Sequence, residues 1–101
     1  REALNPMVET LAMLLPMTSR LRLEAFKPEM IFISAGFDAH REDDMGQMGL
    51  TENDYTWITE KIKDVARRFS KGRIVSCLEG GYMMSPLARS VEAHLRVLAD
   101  V

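Results

Sequence analysis

Two segments of the sequence carry residues whose types and spacing suit chemistry, and the first of them contains Asp38. This acid follows an apolar run, and Gly36 allows the backbone a tight path just before it. A carboxylate in that place suits Zn²⁺, which accepts Asp alongside His. His40 is a second candidate ligand, although a lone His more often orients a neighbour or faces solvent. An ordinary loop is the alternative, since acids also occupy positions 42–44.

The second segment is the turn Glu79–Tyr82, which also follows an apolar run. Neither Gly80 nor Gly81 has a Cβ, so the backbone can approach a ligand closely. Tyr82 then projects from the turn with a hydroxyl that can donate a hydrogen bond, as an oxyanion formed during amide hydrolysis requires. The alternatives are a plain turn into a helix and an amphipathic tyrosine at the domain edge.

Other kinds of chemistry find little support. The sequence contains neither a Gly-x-Ser-x-Gly elbow nor a glycine loop ending in Lys-Ser or Lys-Thr, which disfavours serine acyl transfer and phosphate binding. Cys77 lies within an apolar run and is predicted to be a small, buried core residue and a poor nucleophile. His94 is interpreted as a surface or boundary residue of a helix, with no role in a site.

A helix comes first among the elements that must position these residues. Its amphipathic stripe recurs at helical spacing through Leu4, Val8, Leu11 and Leu15. Pro16 interrupts the stripe and is predicted to start a second helical piece that runs through Leu21 to Phe26. Lys27-Pro28 then ends that piece, because the residue before a proline avoids the helical region.

Two short strands and the helix between them come next. The run 30–33 predicts a strand buried on both faces, and residues 34–50 form a long polar loop. Thr51 is the predicted start of a helix, and Gly72 closes it. The apolar face of this helix consists of Tyr55, Ile58, Ile62, Val65, Ala66 and Phe69. The run 73–78 predicts the second buried strand.

A last helix follows the glycine turn, with Ser85 as its N-cap and Pro86 in its first turn. Its predicted inner face consists of Leu87, Val91, Leu95 and Leu98. The order of elements predicts an α/β fold with a right-handed parallel βαβ unit. Its two strands lie side by side, so the loops after their carboxyl ends meet at one rim. Because two buried strands need further neighbours, residues 1–101 are interpreted as a single segment of a larger α/β domain.

Composition limits the partners of the protein. Thirteen Lys and Arg are scattered among fifteen Asp and Glu, and the net charge of the 101 residues is −2. Without a basic stripe we expect no direct nucleic-acid partner, and without a run of about twenty apolar residues we expect no membrane partner. A single cysteine cannot form an internal disulfide, which favours a cytoplasmic location.

Both loops resemble signature segments of the histone deacetylase family. Ile33–His40 and Leu78–Tyr82 are similar in particular to those of its class II branch and of the bacterial acetylpolyamine amidohydrolases. Three further segments also agree with the layout of this family, namely Phe26–Glu29, Gly49–Thr51 and Leu87–Ser90. The resemblance therefore covers nearly the whole chain, in the same order.

The resemblance implies the fold and the zinc chemistry of that family. The fold is a three-layer α/β domain similar to arginase, with a central, mainly parallel sheet. A channel at its rim ends at a zinc ion held by two aspartates and one histidine, and Asp38 matches one of those aspartates. Tyr82 matches the catalytic tyrosine that stabilises the oxyanion, and Gly80 and Gly81 form the turn at the channel. The expected reaction is hydrolysis of an acetyl amide on acetyl-lysine, an acetylated polyamine or a similar small molecule.

The same resemblance implies that the site extends beyond this chain. The family's paired histidine bases and its other two zinc ligands lie upstream, so the isolated chain is expected to be inactive and a weak zinc binder. One alternative is a non-catalytic folding or interaction module, whose unpaired strands favour a homo-oligomer. Another is an arginase-like binuclear metal hydrolase, against which the turn Glu79–Tyr82 argues.

Overall fold

The computed structural model describes residues 18–46 and 48–101. Within these ranges helices and strands alternate, as the sequence predicts. The elements are α1 (Thr18–Phe26), β1 (Ile31–Ala35), α2 (Glu52–Phe69), β2 (Ile74–Leu78) and α3 (Met84–Ala99). The helix predicted on the stripe from Leu4 to Leu15 lies outside the described residues.

The strands β1 and β2 are neighbours in a parallel sheet, which confirms the predicted pairing. Ile31 pairs with Ile74 at one end of the sheet, and Ala35 pairs with Leu78 at the other. The helix α2 connects the two strands, so this part of the chain is a βαβ unit. Because the strands run in the same direction, the segments after Ala35 and Leu78 leave the sheet at the same edge.

Apolar side chains from one face of the sheet pack on α2. Ile31, Ile33 and Ile74 contact Ile58 and Ile62 of the helix. These helix residues belong to the predicted stripe, whose spacing of three and four places them on one side of α2. The stripe therefore faces the sheet, and its burial fixes how α2 crosses the two strands.

None of the described elements covers the opposite face of the sheet. Phe32 is 68% exposed, and Val75 and Cys77 are exposed beside it. The prediction that both strands are buried on both faces is therefore wrong for these residues, and so is the prediction that Cys77 belongs to the core. Side chains of a strand alternate between its faces, so Cys77 points away from the helices.

The helix α2 begins and ends where the sequence predicts. At its start the Asp54 carboxylate accepts hydrogen bonds from the Thr51 amide at 2.8 Å and from the Thr51 hydroxyl at 3.1 Å. At its end the Ser70 amide donates to the Ala66 carbonyl at 2.7 Å, and Gly72 has a φ of 75°. Lys71 between Ser70 and Gly72 also has a positive φ, so the chain leaves the helix through two left-handed residues, of which Gly72 adopts that conformation without strain.

The helix α3 begins earlier than predicted. Met83 occupies the N-cap position, so the prediction of Ser85 as N-cap is wrong. The Ser85 hydroxyl instead accepts a hydrogen bond from Arg89, one turn further along the helix. Pro86 lies in the first turn, as predicted, where its missing N–H has no helical partner to lose.

The predicted inner face of α3 is right only in part. Leu87 and Val91 pack on the cluster at the carboxyl edge of the sheet, but Leu95 is exposed. It lies in a shallow apolar groove with Leu78 and Ala99, on a side of α3 that no described element covers. None of the helices in the described ranges is both long and apolar enough to cross a membrane.

Candidate functional site

The loop after β1 and the turn after β2 lie side by side at the carboxyl edge of the sheet, as predicted. The Glu79 amide donates to the Ala35 carbonyl at 2.9 Å, and the Phe37 amide donates to the Gly80 carbonyl at 2.7 Å. These bonds continue the pairing of the strands beyond their last residues. They bring the loop that contains Asp38 against the glycine turn.

Asp38 is buried against Gly80. It is 8% exposed, and a methyl group added at Gly80 would lie 3.3 Å from both Cγ and Oδ1 of its carboxylate. Glycine thus leaves open a space beside the carboxylate that any other residue would fill. Zinc accepts aspartate oxygens, so the donor chemistry at this place is compatible with a zinc ion.

A catalytic zinc site requires about three protein ligands and a water molecule. In residues 18–46 and 48–101 no three His, Cys, Asp or Glu side chains come together in a way that could hold a metal ion. The described residues alone therefore do not form a zinc site with three protein ligands.

Tyr82 leaves the glycine turn with its backbone anchored and its side chain partly in solvent. Its amide donates to Asp43 Oδ2 at 2.8 Å, and the residue is 53% exposed. Gly81 before it has a φ of 139°, and a Cβ there would lie 2.5 Å from Leu87 Cδ1. Side chains are thus disfavoured at both glycines of the turn, and Tyr82 is the next residue that presents one.

His40 is fully buried and hydrogen-bonded through both ring nitrogens. The Glu42 amide donates to Nδ1 at 3.0 Å, so Nε2 carries the proton and donates to Glu52 Oε1 at 2.6 Å. Neither nitrogen is left to bind an ion. Of the interpretations that the sequence leaves open for His40, the structure supports the one in which it orients a neighbour.

Glu52 extends this contact into a network of charges. Its second oxygen accepts a bond from Arg89 Nε at 2.6 Å, and Arg89 Nη2 donates to Glu42 at 2.7 Å. Hydrogen bonds from His40 and then from Arg89 lower the pKa of Glu52 from 4.5 to about 2. The network ties the loop that contains Asp38 to the N-terminal parts of α2 and α3.

Tyr55 lies beneath the loop, and sequence reasoning treats it only as part of the apolar face of α2. Its ring meets that of Phe37 edge to face, with 5.0 Å between the centroids. Burial, and then the negative charge of Asp38, raise the pKa of Tyr55, so the phenol stays protonated. The one sign of this position in the sequence is the hydroxyl group of Tyr55, because the other residues of the apolar face of α2 carry no polar atom in their side chains.

His94 is buried, so its interpretation as a surface or boundary residue is wrong. The Thr59 hydroxyl donates to the Tyr55 carbonyl at 2.6 Å and therefore accepts from His94 Nδ1 at 2.9 Å. His94 Nε2 accepts from the Ser76 hydroxyl at 2.8 Å, and its ring meets Phe37 at 5.6 Å. Burial lowers the pKa of His94. Its side chain joins α2, β2 and α3 directly under the loop.

Comparisons with known proteins by sequence and by structure identify the family that the two loops resemble. A family model described as the histone deacetylase domain matches residues 4–98. Type-2 histone deacetylase 2 of Dictyostelium discoideum is 50% identical over 82 residues, which are 78% of this chain and 5% of that protein. A probable deacetylase of Methanothermobacter thermautotrophicus is 40% identical over 88 residues, which are 87% of this chain and 24% of that protein.

Solved structures give the same result. The crystal structure of the HDA15 HD domain superposes with a TM-score of 0.73 at 33% identity, covering 80% of this chain and 22% of that one. The histone deacetylase Clr3 superposes with a TM-score of 0.69 at 28% identity, covering 82% of this chain and 14% of that one. The chain thus spans a quarter or less of the length of each relative named here.

Proposed function

Because this chain belongs to the histone deacetylase family, as its two loops indicate, we propose that it forms part of a zinc-dependent deacetylase. The reaction is hydrolysis of an acetyl amide on acetyl-lysine, an acetylated polyamine or a similar small molecule. The observation that carries the proposal is the contact between Gly80 and the buried carboxylate of Asp38. It supports a site shared by the loops of two adjacent strands.

In this proposal each residue of the two loops has a distinct task. Asp38 is a ligand of the zinc ion, together with ligands from outside this chain. When bound, zinc supplies Lewis-acid activation of the amide carbonyl and of a water molecule. The Tyr82 hydroxyl donates a hydrogen bond to the carbonyl oxygen as negative charge develops on it. Gly80 and Gly81 keep the turn free of side chains that would fill the space beside Asp38.

The proposal also holds that residues 1–101 are one segment of a single catalytic domain. The uncovered face of the sheet supports this idea, because Phe32 and Val75 are exposed apolar residues that a complete domain would cover. The need of the proposed zinc site for further ligands also supports the idea of a larger domain. We therefore expect the isolated chain to be inactive and to bind zinc weakly.

The test compares Asp38→Ala with Asp44→Ala in the complete deacetylase that contains this segment. Asp44 is an exposed acid of the same loop and controls for the loss of one negative charge. Zinc content and hydrolysis of an acetyl-lysine peptide and an acetylated polyamine are measured in both variants. Asp38→Ala is expected to lose zinc and activity, and Asp44→Ala to keep both. Full zinc content in Asp38→Ala would remove Asp38 from the metal site.

Self-association is a second candidate property, and the exposed face around Phe32 favours it. Open edges of strands and an apolar face both promote pairing between copies of a chain. Analytical ultracentrifugation of the 101-residue chain at several concentrations tests it. A mass that rises with concentration would support self-association, whereas a monomer throughout would rule it out.

A further inference from the structure

Asp43 is a buried carboxylate that the proposed reaction does not use. It is 2% exposed, and each of its carboxylate oxygens accepts a hydrogen bond from a backbone amide. Oδ1 accepts from Met45 at 2.9 Å, and Oδ2 accepts from Tyr82 at 2.8 Å. Burying a carboxylate is costly unless hydrogen bonds replace its hydration, and bonds to a charged acceptor are among the stronger ones. The first bond closes the loop of Asp43, and the second holds a residue on the neighbouring turn.

Tyr82 is a residue for which such an anchor matters. Its half-exposed ring receives limited support from packing, and the glycines before it leave the backbone more freedom than other residues would. The bonds made by Glu79 and Gly80 hold the beginning of the turn. The bond from Asp43 holds the residue that carries the hydroxyl.

We propose that Asp43 is a positioning residue for Tyr82: its carboxylate fixes the Tyr82 backbone relative to the loop of Asp38. This inference rests on the proposed function of Tyr82 as the donor to the oxyanion. Such a donor acts only over a narrow range of distance and angle, and a misplacement of about 1 Å can lower a rate ~100-fold. Asp43 touches the backbone of Tyr82 and not the substrate, so its effect passes through Tyr82.

The first experiment compares Asp43→Asn with Asp44→Asn in the complete deacetylase. Asparagine keeps the size of the side chain, but its amide nitrogen cannot accept a hydrogen bond, so one of the two amides loses its partner. We expect Asp43→Asn to lower kcat by roughly 10-fold to 100-fold, with KM and zinc content nearly unchanged. Asp44→Asn removes the same charge at an exposed position and is expected to keep the kcat of the wild type. An unchanged kcat in an Asp43→Asn protein whose Tyr82 amide exchanges faster than in the wild type would overturn the inference.

A double-mutant cycle separates positioning from a general structural effect. In the Tyr82→Phe background the hydroxyl is already absent, so Asp43→Asn is expected to lower kcat little further. If Asp43→Asn lowers kcat by the same factor in both backgrounds, its effect does not pass through Tyr82, and the inference is wrong.

Hydrogen exchange of the Tyr82 amide keeps the inference testable even where Asp43→Asn does not fold. In the wild type this amide is expected to be protected, and in a folded Asp43→Asn protein it is expected to exchange faster. Exchange in the wild type at the rate of a free loop amide would overturn the inference. A wild-type protein without deacetylase activity would instead overturn the proposed function, while the exchange rate still reports whether Asp43 holds Tyr82.

Discussion

Gly80 lies so close to Asp38 that a methyl group on its Cα would stand 3.3 Å from the Cγ and Oδ1 atoms of the carboxylate. Among the described residues the glycines with a positive φ are Gly72 and Gly81. A side chain at Gly80 would thus crowd the Asp38 carboxylate, and it is this closeness and not a positive φ that favours glycine there. The contact joins the ends of β1 and β2, and it leads directly to a test of the proposed metal site.

The substitution Gly80→Ala should weaken zinc binding by pushing the Asp38 carboxylate from its place. Groups that orient a metal ligand typically change metal affinity about 10-fold to 100-fold, and we expect a loss in that range. The control is Gly49→Ala, since nothing lies within 4 Å of a Cβ added there. Zinc retention against a competing chelator is measured for both variants in the complete protein that contains this segment. Equal retention in Gly80→Ala and the wild type would contradict the prediction.

The substitution Tyr82→Phe should nearly abolish turnover while zinc stays bound. Loss of one donor to an oxyanion lowers kcat by about 100-fold or more. Tyr55→Phe is the matched control, because it removes the same kind of hydroxyl from a ring that is buried beneath the loop. We expect this control to keep most of its activity. Turnover near the wild-type rate in Tyr82→Phe would remove Tyr82 from the mechanism.

The substitution Glu52→Gln should destabilise the protein by about 1 kcal/mol, a value that allows for partial exposure of the carboxylate. Hydrogen bonds from His40 and Arg89 lower the pKa of Glu52 to about 2. The stability that this carboxylate contributes is therefore complete above its unfolded pKa of 4.5 and is lost as the pH falls towards 2. Denaturation of both proteins from neutral pH downwards should show their difference shrinking below pH 4.5.

The control for Glu52→Gln is Glu92→Gln. Glu92 pairs with Arg96 on the exposed side of α3, and such surface pairs contribute about 0–1 kcal/mol. Its loss should have little effect at any pH. If both substitutions destabilise the protein equally, the network around Glu52 has no special role.

His94 should make the stability of the protein depend on pH. Burial lowers its pKa below the ordinary value of 6.5, so the unfolded chain binds this proton more readily than the folded one. The contribution of His94 is therefore complete above pH 6.5 and is lost as the pH falls from there towards its folded pKa. In that window one proton changes the free energy of unfolding by up to about 1.4 kcal/mol per pH unit. The slope should be shallower in His94→Gln, and equal slopes would contradict the prediction.

The sequence predicts the order of the elements and the meeting of the two loops, because both depend on local patterns. The runs 30–33 and 73–78 identify the strands, and the stripe from Tyr55 to Phe69 identifies the helix between them. A helix of that length between two buried strands places them parallel, and parallel strands bring their carboxyl ends to one edge.

The sequence does not predict which polar groups are buried, because their partners are distant. His94 bonds to Thr59 and Ser76, which lie 35 and 18 positions away, so along the chain it is only a polar residue beside an apolar stripe. The acids at positions 42–44 look equivalent in the same way. Asp43 differs from its neighbours in its burial and in its bond to Tyr82, 39 positions away.

The parallel pairing of Ala35 with Leu78 has a consequence for the order of folding. The helix α2 depends on local contacts, which form within about a microsecond in isolated helices. The contacts of Asp38 with Gly80, and of Asp43 with Tyr82, close loops of some forty residues and cannot exist before β2 docks beside β1. During refolding of the complete protein the helical signal of circular dichroism should therefore appear before the proposed zinc site binds its metal. In the complete protein, zinc binding would then report a late step of folding, after the loop of Asp38 has met the glycine turn.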